Sequence, residues 1–206
     1  MAHMKDKITS VAIDLFFQKG YFATSISEIA RGCGIQKASI YYHFPGKEDL
    51  LFAIMQTTMT DLMAGLKAEL AHTDSIEAKM RAAVRNHIGF HLERQKETFI
   101  ASSELRGLSP DHCKDVVAQR DTYERIFQNL ICTGITEGVF VQNDVKVLSY
   151  AILTLCTSGA SWYRPDGRLT VGQIAAIYEN FVLNGLKHGH PTTARPAELV
   201  CEPWPL

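Results

Sequence analysis

Residues 24–51 read TSISEIARGCGIQKASIYYHFPGKEDLL, and this stretch narrows the fold more than any other. Ser25 with Glu28 three residues on forms a capping box, which starts a helix near Ile26. That helix runs out at Gly32-Cys33-Gly34. A second short helix is predicted over about 36–43, and Pro45-Gly46 ends it. Two short helices joined by a glycine-containing turn match the helix-turn-helix pattern. Residues 5–19 supply a preceding amphipathic helix, with Ile8, Val11, Ala12, Leu15 and Phe16 spaced three and four apart and Gly20 as its stop.

The wheel of the second short helix separates two faces. Ile40 and Phe44 share the side that packs inward. Ala38 and Tyr42 lie nearly opposite, flanked by Lys37, Ser39, Tyr41 and His43. A small residue beside hydroxyls and a lysine suits a surface that enters a DNA groove: Ala38 permits close approach, and the hydroxyls reach phosphates or base edges. The alternative is that Tyr41 and Tyr42 are half-buried packing residues with wet tips. The next helix begins at Lys47, where the helix dipole is already positive, an arrangement unfavourable by a few tenths of a kcal/mol. Gly46 as N-cap brings no side-chain oxygen to the free N–H groups. A polarised helix end with a lysine is a seat for an anion such as a DNA phosphate. Up to residue 48 six basic side chains outnumber four acidic ones, so this head is mildly positive although the 206-residue chain carries a net charge of −1.

The remainder is also periodic at three and four. Leu51, Met55, Met59, Leu62, Leu66 and Leu70 mark a long helix over 47–71. Further helices are predicted at 75–94, 96–105, 110–137, 143–161 and 170–187, separated by turn residues such as Ser109-Pro110, Asn143-Asp144 and Pro165-Asp166-Gly167. No alternating strand pattern occurs, so the fold class is all-α: a three-helix head over 1–46, read above as DNA-binding, and a larger helical body over 47–188, about nine helices in all, the body being the part left for ligand binding and dimerisation on the arguments that follow. Four prolines and little periodicity mark 189–206 as a loosely held tail. Five scattered cysteines, with neither a CxxC pair nor Cys/His ligand spacing, predict free thiols in a reducing compartment. With no apolar signal core at the N-terminus and no membrane-length apolar run, the expected location is the cytoplasm.

The stretch 24–51, preceded by AIDLFFQKGYFA, resembles the TetR family of bacterial transcriptional regulators over about residues 5–52. The resemblance implies a homodimer whose recognition helices enter successive major grooves of a near-palindromic operator. Carried over by position, it makes Lys37, Ala38, Ser39 and Tyr41 candidates for base-edge contacts. Tyr42, His43 and Lys47 become candidates for the phosphate backbone, with Ser25 and Ser27 as phosphate neighbours. Gly46 departs from the Ser or Asn often found there.

In the body, the segments at about 143–161 and 170–187 are rich in apolar residues, and the first is apolar over more than one stripe, so one side can face the body and another a second subunit in an intersubunit four-helix bundle. The alternative is that both are ordinary buried helices of a monomer. Between them, SWYRPDGRLT puts Trp162, Tyr163, Arg164 and Arg168 around a turn, a set able to hold an apolar body with anionic phosphates. This stretch also resembles the WYRP-containing region of TetR regulators that respond to acyl-CoA thioesters, which implies such an effector. The competing reading is a structural corner, with Trp162 as a core or dimer plug and the arginines in surface ion pairs. Phe90, Phe99, Tyr123 and Phe127, with Leu105, Ile131 and Cys156, either line a cavity or form plain core. His87 and His91 are four apart but have no third ligand at suggestive spacing, so no metal, cofactor or catalytic residue is expected. The expectation is a repressor released from DNA by a small apolar or amphipathic effector. Its rivals are a DNA-binding dimer without an effector and a helical enzyme acting on a thioester.

Overall fold

The computed structural model describes residues 2–188 and 190, and among these it is all-α: nine α-helices, two 3₁₀ turns and no strand. The helices are α1 (Ala2–Lys19), α2 (Ile26–Cys33), α3 (Lys37–His43), α4 (Lys47–Ala71), α5 (Ile76–Glu93), α6 (Gln95–Ser103), α7 (Pro110–Thr136), α8 (Val145–Ser158) and α9 (Val171–His188). The tail expected over 189–206 lies outside the described residues, His190 excepted. Two predicted helices are shorter than expected. The sixth gives way to a 3₁₀ turn at Leu105–Gly107 after the Glu104 N–H bonds back to the Ile100 carbonyl. The eighth stops at Ser158 and continues as a 3₁₀ turn over Gly159–Ser161. Among the described residues Cys33, Cys113 and Cys156 are free thiols.

The chain forms two compact units. The first comprises Met1–Asp61 and Arg94–Gln119, the second Leu62–Glu93 and Arg120–Leu206, and α4 and α7 contribute residues to both. In the first unit α1 packs on α2 and α6, and α2 on α3. Its core is built from Ile8, Ala12 and Phe16 of α1, Ile29 and Cys33 of α2, Ile40 of α3, Leu50, Leu51 and Met55 of α4, and Ile100 of α6. Each large apolar side chain buried there contributes up to about 2–3 kcal/mol. The turn between α2 and α3 needs glycine twice. Gly34 caps α2 in the left-handed conformation at φ 66°, and a Cβ on Gly32 would stand 2.7 Å from a methyl of Val11.

In the second unit α5 packs against α9 and α8. Glu179 of α9 is buried and receives a two-pronged salt bridge from Arg85 of α5, at 2.8 and 2.9 Å. Glu77 accepts from Lys187 at 2.9 Å and from Arg81 at 3.2 Å, fastening the other ends of the same two helices. Gly159 lets the end of α8 approach α5: a Cβ there would meet Ile88 at 2.7 Å. No helix of the described residues is long and apolar enough to cross a membrane.

Candidate functional site

The capping box read from the sequence is formed. The Glu28 N–H donates to Ser25 Oγ at 3.2 Å, and the Ser25 N–H donates to Glu28 Oε2 at 2.9 Å. Lys19 adds an ion pair to Glu28 at 2.6 Å. The Lys19 contact, reinforced by the two Ser25 hydrogen bonds, holds the Glu28 carboxyl down at a pKa of about 2. Ser25 therefore spends its hydroxyl inside the cap, whereas Ser27, two residues along α2, is exposed.

Helix α3 is anchored by one side and open on the other. Ile40 is fully buried and Phe44 nearly so. Lys37, Ala38, Ser39, Tyr41 and Tyr42 are exposed, Tyr42 at 72%, and His43 is half-buried. The Lys37 ammonium lies 5.7 Å above the Tyr41 ring, and the Tyr42 and His43 rings meet edge to face at 5.2 Å. A hollow of about 490 Å³ opens alongside, lined by Met4, Ile35, Ala38, Ser39, Tyr42 and His43. Six of the sequence-derived candidates thus share one region, and Tyr41 and Tyr42 are not core residues.

Lys47 is placed differently from its sequence reading. Its ammonium turns back to donate to the Tyr21 carbonyl at 3.0 Å and the Thr24 carbonyl at 2.9 Å, and sits 4.2 Å from the centre of the Tyr21 ring. Burial lowers its pKa below the ordinary lysine value. The side chain is a clamp holding the entry to α2 against the start of α4. Its neighbour Glu48 accepts from the Ser109 N–H at 2.7 Å and pairs with His112 Nδ1 at 2.7 Å. The His112 ring stacks on Phe52 at 3.8 Å, and the Ser109 N–H and His112 lower the Glu48 pKa. Sequence reasoning missed this joint. Ser109-Pro110 was legible as a helix start, but nothing in the chain signals a pairing across sixty residues.

The body candidates fall into three places. Tyr123 and Phe127 are buried in the second unit, and Phe90 is half-buried there. Phe99 is not with them: it belongs to the first unit, is 47% exposed and meets Phe17 edge-on at 5.3 Å. Trp162, Arg164 and Arg168 are exposed and Tyr163 half-buried, around a turn closed by the Gly167 N–H donating to the Arg164 carbonyl at 2.9 Å. Trp162 is therefore not an internal plug of the described chain, although its indole bonds the Tyr178 hydroxyl. On the neighbouring helices Val147, Tyr150, Ile177 and Phe181 stand exposed, at 63, 49, 55 and 67%.

His87 and His91 meet ring to ring at 4.5 Å. His87 is spent on structure: Nδ1 pairs with the Tyr123 hydroxyl at 3.1 Å and Nε2 with the Thr157 hydroxyl at 3.1 Å. Burial drives both rings toward the neutral form, His91 to a pKa of about 4. Among the described residues no third His, Cys, Asp or Glu completes a metal-binding group with them.

Two family profiles match the chain. "Bacterial regulatory proteins, tetR family" covers residues 8–54, and "Tetracyclin repressor-like, C-terminal domain" covers residues 73–186. The HTH-type transcriptional repressor KstR2 of Rhodococcus jostii (strain RHA1) is 26% identical over 196 residues, spanning 90% of this chain and 92% of that protein. The crystal structure of the TetR family transcriptional regulator PfmR from Thermus thermophilus superposes with a TM-score of 0.80 at 29% identity, covering 87% of this chain and 98% of that one. The structure of AibR in complex with isovaleryl coenzyme A and operator DNA gives a TM-score of 0.79 at 27% identity, covering 89% and 98%. With an anchored recognition helix at one end and a matched C-terminal domain over most of the rest, this chain belongs to the TetR family of transcriptional regulators.

Proposed function

We propose that this protein is a cytoplasmic repressor that binds a near-palindromic operator as a homodimer and is released by an amphipathic effector, an acyl-CoA thioester. The single observation that carries the DNA reading is the outer face of α3, where five exposed side chains point away from an anchor of Ile40 and Phe44. In this reading Lys37, Ala38, Ser39 and Tyr41 meet base edges, and Tyr42, His43 and Ser27 meet phosphates. Ser25 and Lys47 hold backbone groups in place, and the phosphate contact of each falls to the main chain. Residues 1–46 form the DNA-binding domain, residues 47–188 the ligand-binding and dimerisation domain, and 189–206 its tail.

The exposed apolar side chains Val147 and Tyr150 of α8 and Ile177 and Phe181 of α9 support a dimer through these two helices. Support for the effector class comes from Trp162, Tyr163, Arg164 and Arg168, an aromatic platform with two guanidiniums suited to an adenine and its phosphates, and from the AibR relative that binds isovaleryl coenzyme A. Phe90, Tyr123 and Phe127 supply apolar and aromatic surface for the acyl part. Membership of a family of transcriptional regulators supports a binding protein over an enzyme.

Release requires the effector to prefer the geometry that does not bind DNA; a hundredfold loss of operator affinity takes about 2.7 kcal/mol of coupling. Helix α7 carries Tyr123 midway along its course and His112 near its start, and His112 grips Glu48, the residue after the Lys47 clamp. A shift of α7 along its axis would pull on that joint. The test is an electrophoretic shift with DNA flanking the coding region, alone and with isovaleryl-, octanoyl- and palmitoyl-CoA and the matching free acids. A shifted band that a thioester abolishes and Tyr42→Ala weakens is expected; binding that neither changes would defeat the reading.

A further inference from the structure

Among the described residues of the second unit, one buried side-chain polar atom has nothing to do. His91 is 8% exposed, and its Nδ1 is fully buried without a hydrogen-bond partner. An unpaired polar atom in such a place is a standing penalty, which native cores rarely retain without a use. The surroundings show why the atom is unpaired. Its polar neighbour, the His87 ring at 4.5 Å, already has both nitrogens occupied by Tyr123 and Thr157. The Tyr123 hydroxyl is further engaged by the Asn86 amide. Phe127 closes on the His87 ring edge-on at 5.9 Å, and Phe90 lies beside His91 at 6.5 Å. Of the two rings that meet His91, that of His87 already has both nitrogens engaged and that of Phe90 is apolar.

Charge decides what the open position can take. Among the described residues of this unit the one buried acid is Glu179, and Arg85 already neutralises it. No buried cation is left among them to balance a carboxylate. Protonating His91 to supply one would put a charge in an apolar site directly against His87, where the two rings oppose each other's charging. An uncharged carbonyl oxygen has neither problem: it needs one N–H donor, and a neutral imidazole that carries its proton on Nδ1 supplies one.

We propose that His91 Nδ1 is the hydrogen-bond donor for the uncharged carbonyl of an acyl thioester, and that it makes the site discriminate thioesters from free carboxylic acids. The proposal rests on the effector reading above and adds the recognising atom and the form of the acyl group it accepts. Binding is non-covalent, and no bond is made or broken.

The test uses the full chain, its operator DNA, isovaleryl-, octanoyl- and palmitoyl-CoA, and the matching free acids. His91→Leu removes the donor and fills most of the ring volume. The variant is expected to melt higher than the parent without effector, because the unpaired atom is gone, to bind operator equally, and to need at least tenfold more thioester for release. His91→Gln, which restores an N–H donor, is expected to recover part of that response. If His91→Leu is released at the parent's thioester concentrations, or if free acids release the parent as well as thioesters do, the assignment is wrong and the effector reading stands. If no thioester releases or stabilises the parent, the effector reading fails and takes this assignment with it. Should His91→Leu fail to fold, His91→Gln carries the test: a response lost entirely in a folded variant that still offers a donor overturns the assignment.

Discussion

Replacing Lys47 by alanine separates two accounts of the same lysine. In the structure its ammonium makes two charge-assisted hydrogen bonds, to the Tyr21 and Thr24 carbonyls, and lies 4.2 Å from the Tyr21 ring centre. Hydrogen bonds to charged groups contribute about 1.5–3 kcal/mol each. The Tyr21 carbonyl keeps its bond from the Thr24 N–H at 3.2 Å, so that half of the loss is cushioned. The lowered pKa of Lys47 shows that part of the gain is spent on desolvating the ammonium. The net expectation for Lys47→Ala is a loss of about 2 kcal/mol, a fall in Tm of roughly 4–8 °C for a chain of this size. The same variant should leave the salt dependence of operator binding unchanged. Were the ammonium instead a phosphate contact, the slope of log affinity against log salt would fall by roughly one per subunit, or roughly two per dimer. Calorimetric melting and fluorescence anisotropy over a salt series measure both quantities on one preparation. An unchanged Tm with a slope reduced by roughly two would refute the clamp.

Other expectations follow from single contacts. Ser25→Ala opens the capping box and should cost about 1 kcal/mol in urea unfolding. The Glu28 carboxyl held at a pKa of about 2 contributes stability present above its ordinary value near 4.5 and lost as the pH falls toward 2, so the penalty of Ser25→Ala should shrink over that window. Glu48→Ala should cost about 1–2 kcal/mol by leaving the Ser109 N–H without its acceptor, and Glu48→Gln should recover part of it. His91, neutral in the fold down to a pKa of about 4 against an ordinary 6.5, gives stability that is complete above pH 6.5 and lost on acidification; between pH 7 and pH 5 the loss is about 2 kcal/mol, and His91→Leu should flatten it. Phe181→Arg, at a 67% exposed position on α9, should shift sedimentation from dimer to monomer while leaving helix content intact.

What the sequence made legible was whatever is written locally. Ser25 and Glu28 are three residues apart, and Gly34 ends the same helix, so the start and stop of α2 follow from chemistry within ten residues. The faces of α3 follow equally from Ile40 and Phe44 being four apart. Long-range assignments fared differently. Phe99 has the composition of a cavity-lining residue, yet which unit it joins depends on where α6 lies, and helical spacing carries no such information. Trp162 reads equally as a plug or a platform from spacing alone, and its 53% exposure excludes only a plug within the described chain.

Lys47 and Glu48 show where local reading stops and why the difference matters for regulation. A lysine in the first turn of a helix opposes the dipole, and from sequence that opposition asks for an anion. The fold answers otherwise: two carbonyls from the α1–α2 connection take the ammonium, while Glu48, favoured by the same dipole, takes the Ser109 N–H and the His112 ring at the start of α7. Two adjacent residues of opposite charge thus face opposite ways, one toward the segment that precedes the helix-turn-helix and one toward a helix that also carries Tyr123 and Phe127. Under the release proposed above, a displacement of the start of α7 would reach the entry to α2 through the first turn of α4, which both sets of contacts share.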